Sequence, residues 1–298
     1  MAPCAGDDPY GVKLSGVCLP SRGYLSRSGA KSRPHELLTA AAVSLYTQRM
    51  SNAGPLARVA NESPLNTGRG QHVLALTAPA PGIALWLCDL DRASGDIATL
   101  TPLLSAQEQA RAERFGTALL RGRWIAGRAT LRLLLGRTLE VDPAAVRLRR
   151  GVRGRPELDG DHAVDFNVSH TGDRALVAIA TGMQDGTRVG IDIEREDRRV
   201  NADGLARKFL TERERAEIAP LATDVRRQRF LRLWTCKEAM SKATGDALSA
   251  PFRQMDVTLD GGPRLVAGPM PYAPAAWQLV AAATPPGLIA TLAIWRQP

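Results

Sequence analysis

Few cysteines, few aromatic residues, very few lysines and no long apolar run characterise this 298-residue chain. Its four cysteines, Cys4, Cys18, Cys88 and Cys236, form neither a Cys-x-x-Cys pair nor a cluster with histidine. That spacing argues against a disulfide framework or a zinc site and points to a reducing, cytoplasmic compartment. No window approaches the roughly eighteen unbroken apolar residues of a membrane span. The apolar run at residues 37–46 is short and lies too far from Met1 for a secretory signal, and the acid-poor start is only loosely like an organelle transit peptide.

With 44% hydrophobic and 23% charged residues, the remainder is ordinary for a globular protein. The net charge of +9 is unevenly spread. Between Arg111 and Arg155 stand twelve arginines against three acids, Glu113, Glu140 and Asp142, an excess equal to that of the whole chain. Such a field favours an anionic ligand: a nucleic acid, a phosphate-bearing cofactor or an acidic protein. Arginine is also simply the default cation here, because only five lysines occur, at 13, 31, 208, 237 and 242. Two of them, Lys237 and Lys242, are close neighbours.

Residues 1–80 are rich in Gly, Ser, Pro, Ala and Asn and read as a largely disordered extension, with a weak helix over 36–49 and a second candidate start at Met50. Order is expected near Ile83, where residues 83–88 read as a buried strand. Ser105-Ala-Gln-Glu108 is a capping box, and a long helix is expected over 118–135, ended by Gly136. Strands follow near Val146 and over 163–168, 175–180 and 189–194. A second capping box, Thr211-Glu-Arg-Glu214, then precedes a long helix over 225–244 ended by Gly245, with strands at 255–259, 276–283 and 288–295. The order strand, capped short helix, long helix, strands thus occurs twice. It predicts an α+β fold of two similar lobes in pseudo-twofold arrangement, each a small antiparallel sheet packed on a long helix, with a cleft between them. The expected division is 1–80 for the extension, 81–188 for the first lobe and 189–298 for the second.

Four constellations carry chemistry. In Val189-Gly190-Ile191-Asp192-Ile193-Glu194, strand alternation puts Asp192 and Glu194 on one face and the isoleucines on the other. Two adjacent carboxylates suit a hard divalent cation, although a solvent-facing acidic edge has the same pattern. In the segment from Trp234 to Lys242, Trp234, Glu238 and Lys242 lie on one helical stripe. An exposed Glu–Lys pair of that spacing contributes only about 0.3–0.5 kcal/mol, and it does not account for the tryptophan beside it. Asn167-Val168-Ser169-His170 and Arg150-Gly151-Val152-Arg153-Gly154-Arg155-Pro156 add hydrogen-bond donors and a glycine turn that a phosphate could approach.

In this order and spacing the motifs resemble those of the phosphopantetheinyl transferases of the long, single-chain, two-lobed kind. The likeness covers roughly residues 83–298, and the first eighty residues have no counterpart in it. It implies Mg²⁺-dependent transfer of 4′-phosphopantetheine from coenzyme A to a serine of an apo acyl, peptidyl or aryl carrier protein, releasing 3′,5′-ADP. Carried over by position, the resemblance makes Asp192, Glu194 and Glu238 ligands of Mg²⁺, with Mn²⁺ as an alternative. It makes Arg123, Arg150, Arg155 and His170 contacts to the 3′-phosphoadenosine end, with Gly154, Asn167 and Ser169 shaping that pocket and Asp192 also at the coenzyme. Glu238, directly or through water, takes the serine proton, and Lys242 stabilises the phosphates and the leaving group. Arg155 stands where the family often has lysine, which leaves its contact less defined. With the two long helices aligned on Gly136 and Gly245, Glu238 and Lys242 fall on Ala129 and Leu133, so one active site per chain and a monomer are expected. A degenerate coenzyme A or carrier-protein binder and an arginine-rich nucleic-acid binder are the alternatives; the reading itself calls for neither nucleic acid nor membrane.

Overall fold

The computed structural model describes residues 72–151, 153–184 and 186–297. Residues 1–71 of the expected disordered extension, the helix over 36–49 and the start at Met50 lie outside the described residues, while residues 73–76 of that extension are a strand. Order begins earlier than Ile83: strand β1 (Val73–Leu76) pairs antiparallel with β2 (Ile83–Asp89). Four residues beside a Gly- and Pro-rich stretch are too few to show a period, and pairing with β2 supplies what the local sequence lacks.

After β2 come the short helices α1 (Leu90–Ala93) and α2 (Ile97–Leu100), then α3 (Ala106–Ala112) and the long α4 (Ala118–Leu139). The hairpin β3 (Leu148–Arg150) and β4 (Pro156–Leu158) follows, then β5 (Val164–Thr171) and β6 (Arg174–Thr181). The second half opens with β7 (Thr187–Arg195), α5 (Ala202–Phe209), α6 (Glu212–Ile218) and the long α7 (Thr223–Thr244). It closes with the hairpin β8 (Asp256–Thr258) and β9 (Arg264–Ala267), then β10 (Trp277–Ala281) and β11 (Leu288–Arg296).

The internal echo is structural. One antiparallel sheet has the order β1-β2-β6-β5 and the other β10-β11-β7, so β2-β6-β5 in the first half matches β7-β11-β10 in the second, with β1 an added edge strand. Both capping boxes are formed, and both long helices run 22 residues. Each ends at a left-handed residue, Gly245 at φ 83° and Glu140 at φ 56°. Gly136 is therefore not the stop of α4. It lies inside the helix and is small for a packing reason, since an added Cβ would meet the Val141 carbonyl at 2.9 Å. Matching the helix ends moves the counterparts of Glu238 and Lys242 to Leu133 and Arg137. The first half still lacks the acid.

The echo extends to a buried ion pair. In the first half Glu108, the capping-box glutamate, accepts from Arg132 Nε at 2.6 Å, and Arg132 also donates to the carbonyls of Pro143 and Val146. In the second half Glu214 pairs with Lys237 at 2.7 Å, both side chains fully buried, and the ammonium also donates to the carbonyls of Phe209 and Phe252. Lys237 thus anchors α7 to its own capped neighbour.

Between the sheets lies one shared core. It holds Ile83, Leu85 and Leu87 of β2, Leu176, Ala178 and Ala180 of β6, Val189, Ile191 and Ile193 of β7, and Ala290, Leu292 and Ile294 of β11. The opposite face of β7 carries Gly190, Asp192 and Glu194. There α7 rests on β7 so closely that a Cβ at Gly190 would lie 2.6 Å from the Ala243 nitrogen and nearer still to the Ala239 carbonyl. β7 is an edge strand whose outward N–H groups would lack partners. Side chains of β5 meet them instead: Asp165 accepts from Val189 N at 2.7 Å, Asn167 from Ile191 N at 3.0 Å and Ser169 from Ile193 N at 3.3 Å.

Candidate active site

This stitching brings three elements to one place. β5 contributes Ser169 and Thr171, β7 contributes Asp192 and Glu194, and α7 contributes Glu238 and Lys242. Lys242 Nζ lies 2.7 Å from Asp192 Oδ1 and donates to Ser169 Oγ at 2.8 Å, while Ser169 donates to the same Asp192 oxygen at 2.8 Å. Thr171 donates to Glu194 at 3.3 Å, and Arg198 forms an ion pair with the other Glu194 oxygen. Asp192, Glu194 and Glu238 are all buried.

Acid is in excess here. Burial, then the nearby Asp192 charge, pushes the Glu238 carboxyl up to about 8, against the pull of Lys242. The same two causes push Glu194 up to about 7, with Arg198 and Lys242 opposing. Asp192 Oδ2 and Glu238 Oε1 are buried without a hydrogen-bond partner. Unpaired buried carboxylate oxygens are costly, so the cluster favours an added cation or proton. Among the described residues no three acidic, histidine or cysteine side chains are already gathered as a metal cage. The donor set nevertheless suits a hard divalent ion: oxygens only, two of them unpartnered, in a buried and acid-rich setting.

The structure distributes the remaining predicted residues unequally. His170 is half-buried and faces α4, where a Cβ on Gly127 would lie 3.3 Å from Nε2. Burial, then Lys242 and Arg128, lowers its pKa to about 3, so it is neutral at physiological pH. Arg123, also on α4, is bidentate to Asp91 at 2.6 and 2.8 Å and reaches the Gly172 carbonyl at 3.4 Å, beside the end of β5. Arg150 is exposed at the end of β3, alongside the turn in which Gly154 adopts φ +85°. Asn167 accepts from β7 and so shapes the floor of the site.

Arg155 departs from expectation. Its side chain is 4% exposed, and its nitrogens are engaged by Asp165 and by the carbonyls of Phe166, Val189 and Lys242. Its guanidinium faces the interior, so the side-chain contact to a nucleotide expected of it is not available in this arrangement. The concentrated positive field expected from residues 111–155 is likewise reduced by distant acids: Arg123 meets Asp91, Arg149 meets Glu157, Arg153 meets Asp246 and Arg155 meets Asp165.

Sequence reasoning missed Asp165, Thr171 and Arg198. Asp165 and Thr171 continue the alternation of Asn167 and Ser169 and were legible in principle once β5 extends to Thr171. Arg198 follows its partner through a non-helical segment, where spacing carries no information.

Comparison with known proteins matches both halves. Residues 93–183 match the family model described as "4'-phosphopantetheinyl transferase, N-terminal", and residues 188–288 match that of the "4'-phosphopantetheinyl transferase superfamily". The chain is 36% identical over 188 residues to the 4'-phosphopantetheinyl transferase HetI of Nostoc sp. (strain PCC 7120), covering 62% of this chain and 77% of HetI. It is 33% identical over 177 residues to the slr0495 protein of Synechocystis sp. (strain PCC 6803), covering 59% and 70%. To the 4'-phosphopantetheinyl transferase Sfp of Bacillus subtilis (strain 168) it is 25% identical over 156 residues, covering 52% and 66%.

Proposed function

The chain belongs to the 4′-phosphopantetheinyl transferase superfamily, and from that premise we propose that it transfers 4′-phosphopantetheine from coenzyme A to a serine of an apo carrier protein at the Asp192–Glu238–Lys242 cluster. The observation that carries this reading is the unpartnered Glu238 Oε1, buried beside Asp192 and Lys242. In the transfer the serine oxygen attacks the β-phosphorus of coenzyme A. The bond from that phosphorus to the bridging oxygen breaks, a phosphodiester forms on the serine, and 3′,5′-ADP leaves. Glu238 accepts the serine proton. One of its oxygens is buried without a hydrogen-bond partner and so is open to that proton, and proton transfer to a positioned group contributes about 10²–10⁴-fold. Lys242 holds its charge beside the phosphates and the leaving group.

Asp192, Glu194 and Glu238 would hold Mg²⁺. Bound there, the ion would neutralise phosphate charge and orient the pyrophosphate. In this reading Arg123, exchanging Asp91 for phosphate, Arg150 and neutral His170 would meet the 3′-phosphoadenosine end, with the Gly154 turn giving backbone access. Site placement at the junction of lobes 81–188 and 189–298, action as a monomer and a cytoplasmic setting belong to the same reading. No helix among the described residues is long and apolar enough to cross a membrane.

The test is mass spectrometry of apo acyl and peptidyl carrier proteins incubated with this protein, coenzyme A and Mg²⁺. The expected result is a gain of one phosphopantetheine group on at least one carrier, abolished by EDTA. No gain on any carrier in a broad panel would overturn the reading.

A further inference from the structure

Arg155 comes from the turn of the first lobe and bonds not only to β5 of that lobe but also to β7 and α7, the two second-lobe elements that carry the catalytic cluster. Nε donates to the Lys242 carbonyl at 3.0 Å. One terminal nitrogen donates to Asp165 at 3.0 Å. The other donates to Asp165 at 2.7 Å, to the Phe166 carbonyl at 3.2 Å and to the Val189 carbonyl at 2.9 Å. Asp165 in turn accepts from Val189 N at 2.7 Å, so the arginine–aspartate pair grips both backbone groups of one β7 residue. The Lys242 carbonyl lies in the last turn of α7, where helix carbonyls have no intrahelical donor and a cation is favoured by the helix dipole. The left-handed Gly245 that ends α7 is seated on the arginine stem, since a Cβ there would lie 3.5 Å from Arg155 Cβ.

We propose that Arg155 is a positioning residue, a cap supplied by the first lobe that fixes the end of α7 and the start of the acid-bearing strand, and not a side-chain contact to coenzyme A. Two outputs depend on it. Lys242 is held at its backbone by Arg155 while its ammonium reaches Asp192, and β7 is held at Val189, three residues before Asp192. A lysine cannot reproduce this. It has no planar fork to meet a carboxylate in bidentate fashion while also reaching carbonyls on three elements. The inference rests on the transferase reading above and adds a residue that acts through Lys242 and Asp192.

The test uses the full chain with Arg155→Lys, Asp165→Asn and the double variant. Calorimetry gives the Kd for coenzyme A, and carrier-protein transfer gives kcat. Each single variant is expected to lower kcat about tenfold or more while the Kd stays within about twofold, because misplacement of the reacting groups affects the transition state more than binding. The double variant is expected to be no slower than the worse single variant, as for two residues acting as a unit. A tenfold weaker Kd in Arg155→Lys with kcat near wild type and Asp165→Asn silent would overturn the proposal, as would kcat losses that multiply in the double variant. Should Arg155→Lys not fold, Asp165→Asn alone decides, since a silent Asp165→Asn contradicts the cap. Absence of transfer by the wild-type protein would instead remove the activity on which both readings depend.

Discussion

Gly190→Ala adds one methyl group where β7 and α7 touch backbone to backbone. The new Cβ would lie 2.6 Å from the Ala243 nitrogen and closer to the Ala239 carbonyl, and neither obstacle is a side chain that could rotate away. Relief requires the helix to lift by about 1 Å or more from the strand, given carbon–heteroatom contact distances of roughly 3.5 Å. Overpacking of a core typically costs about 1–3 kcal/mol, and rigid backbone places this case at or above the upper end. The entropic gain from replacing glycine, about 0.4–1 kcal/mol, does not offset it. Chemistry suffers separately, since Glu238 and Lys242 each adjoin a clashing residue and the 2.7 Å Lys242–Asp192 contact would pass beyond hydrogen-bond reach. Urea denaturation followed by circular dichroism should show a loss of about 3 kcal/mol, and carrier-protein transfer should fall at least tenfold in the remaining folded fraction. Gly95→Ala, where nothing lies within 4 Å of the added carbon, is the control and should lower neither, with at most the small entropic gain in stability. A Gly190→Ala protein with wild-type midpoint and turnover would refute the close-approach argument.

Lys237→Met leaves Glu214 buried and charged without its cation; a loss of about 3–5 kcal/mol is expected by denaturation, with much of it recovered in Lys237→Met/Glu214→Gln, and an unchanged midpoint would contradict the ion pair. His170 has its pKa lowered to about 3, so the unfolded chain takes that proton first and stability is lost as pH falls from about 6.5 toward 3. His170→Asn should therefore lose about 1–2 kcal/mol less than wild type between pH 7 and 4.5, allowing for solvent screening of a half-buried ring; equal acid sensitivity would contradict the shift. Arg198→Met removes a cation that competes for Glu194, so calorimetric Mg²⁺ binding should tighten several-fold; weaker binding would show that Arg198 supports the site.

Much of this was legible because the relevant signals are local. Both capping boxes, the in-and-out alternation of residues 189–194 and the left-handed Gly245 follow from one or two turns of chain. The stop of α4 was misplaced because Gly136 has a packing reason to be small, while Glu140 takes a conformation that glycine usually takes. Strand β9 is too short to show a period, whereas helix α5 is amphipathic over eight residues, with Ala206 and Phe209 buried, and was legible in principle. In the site, strand and helix spacing placed Asp192 with Glu194 and Glu238 with Lys242. They could not show that β5 side chains take the place of a neighbouring strand, or that Arg155 turns inward to Asp165. Partnerships of that kind depend on tertiary geometry, and the field of the basic segment is reduced for the same reason.

The central claim is most directly tested by Glu238→Gln, which keeps the shape of the side chain and removes its proton-accepting charge. With coenzyme A, Mg²⁺ and an apo carrier that the wild type modifies, turnover followed by mass spectrometry should fall by about 10²-fold or more. The denaturation midpoint should not drop, because one of the crowded acids is gone. Near-normal turnover in that variant would contradict the account.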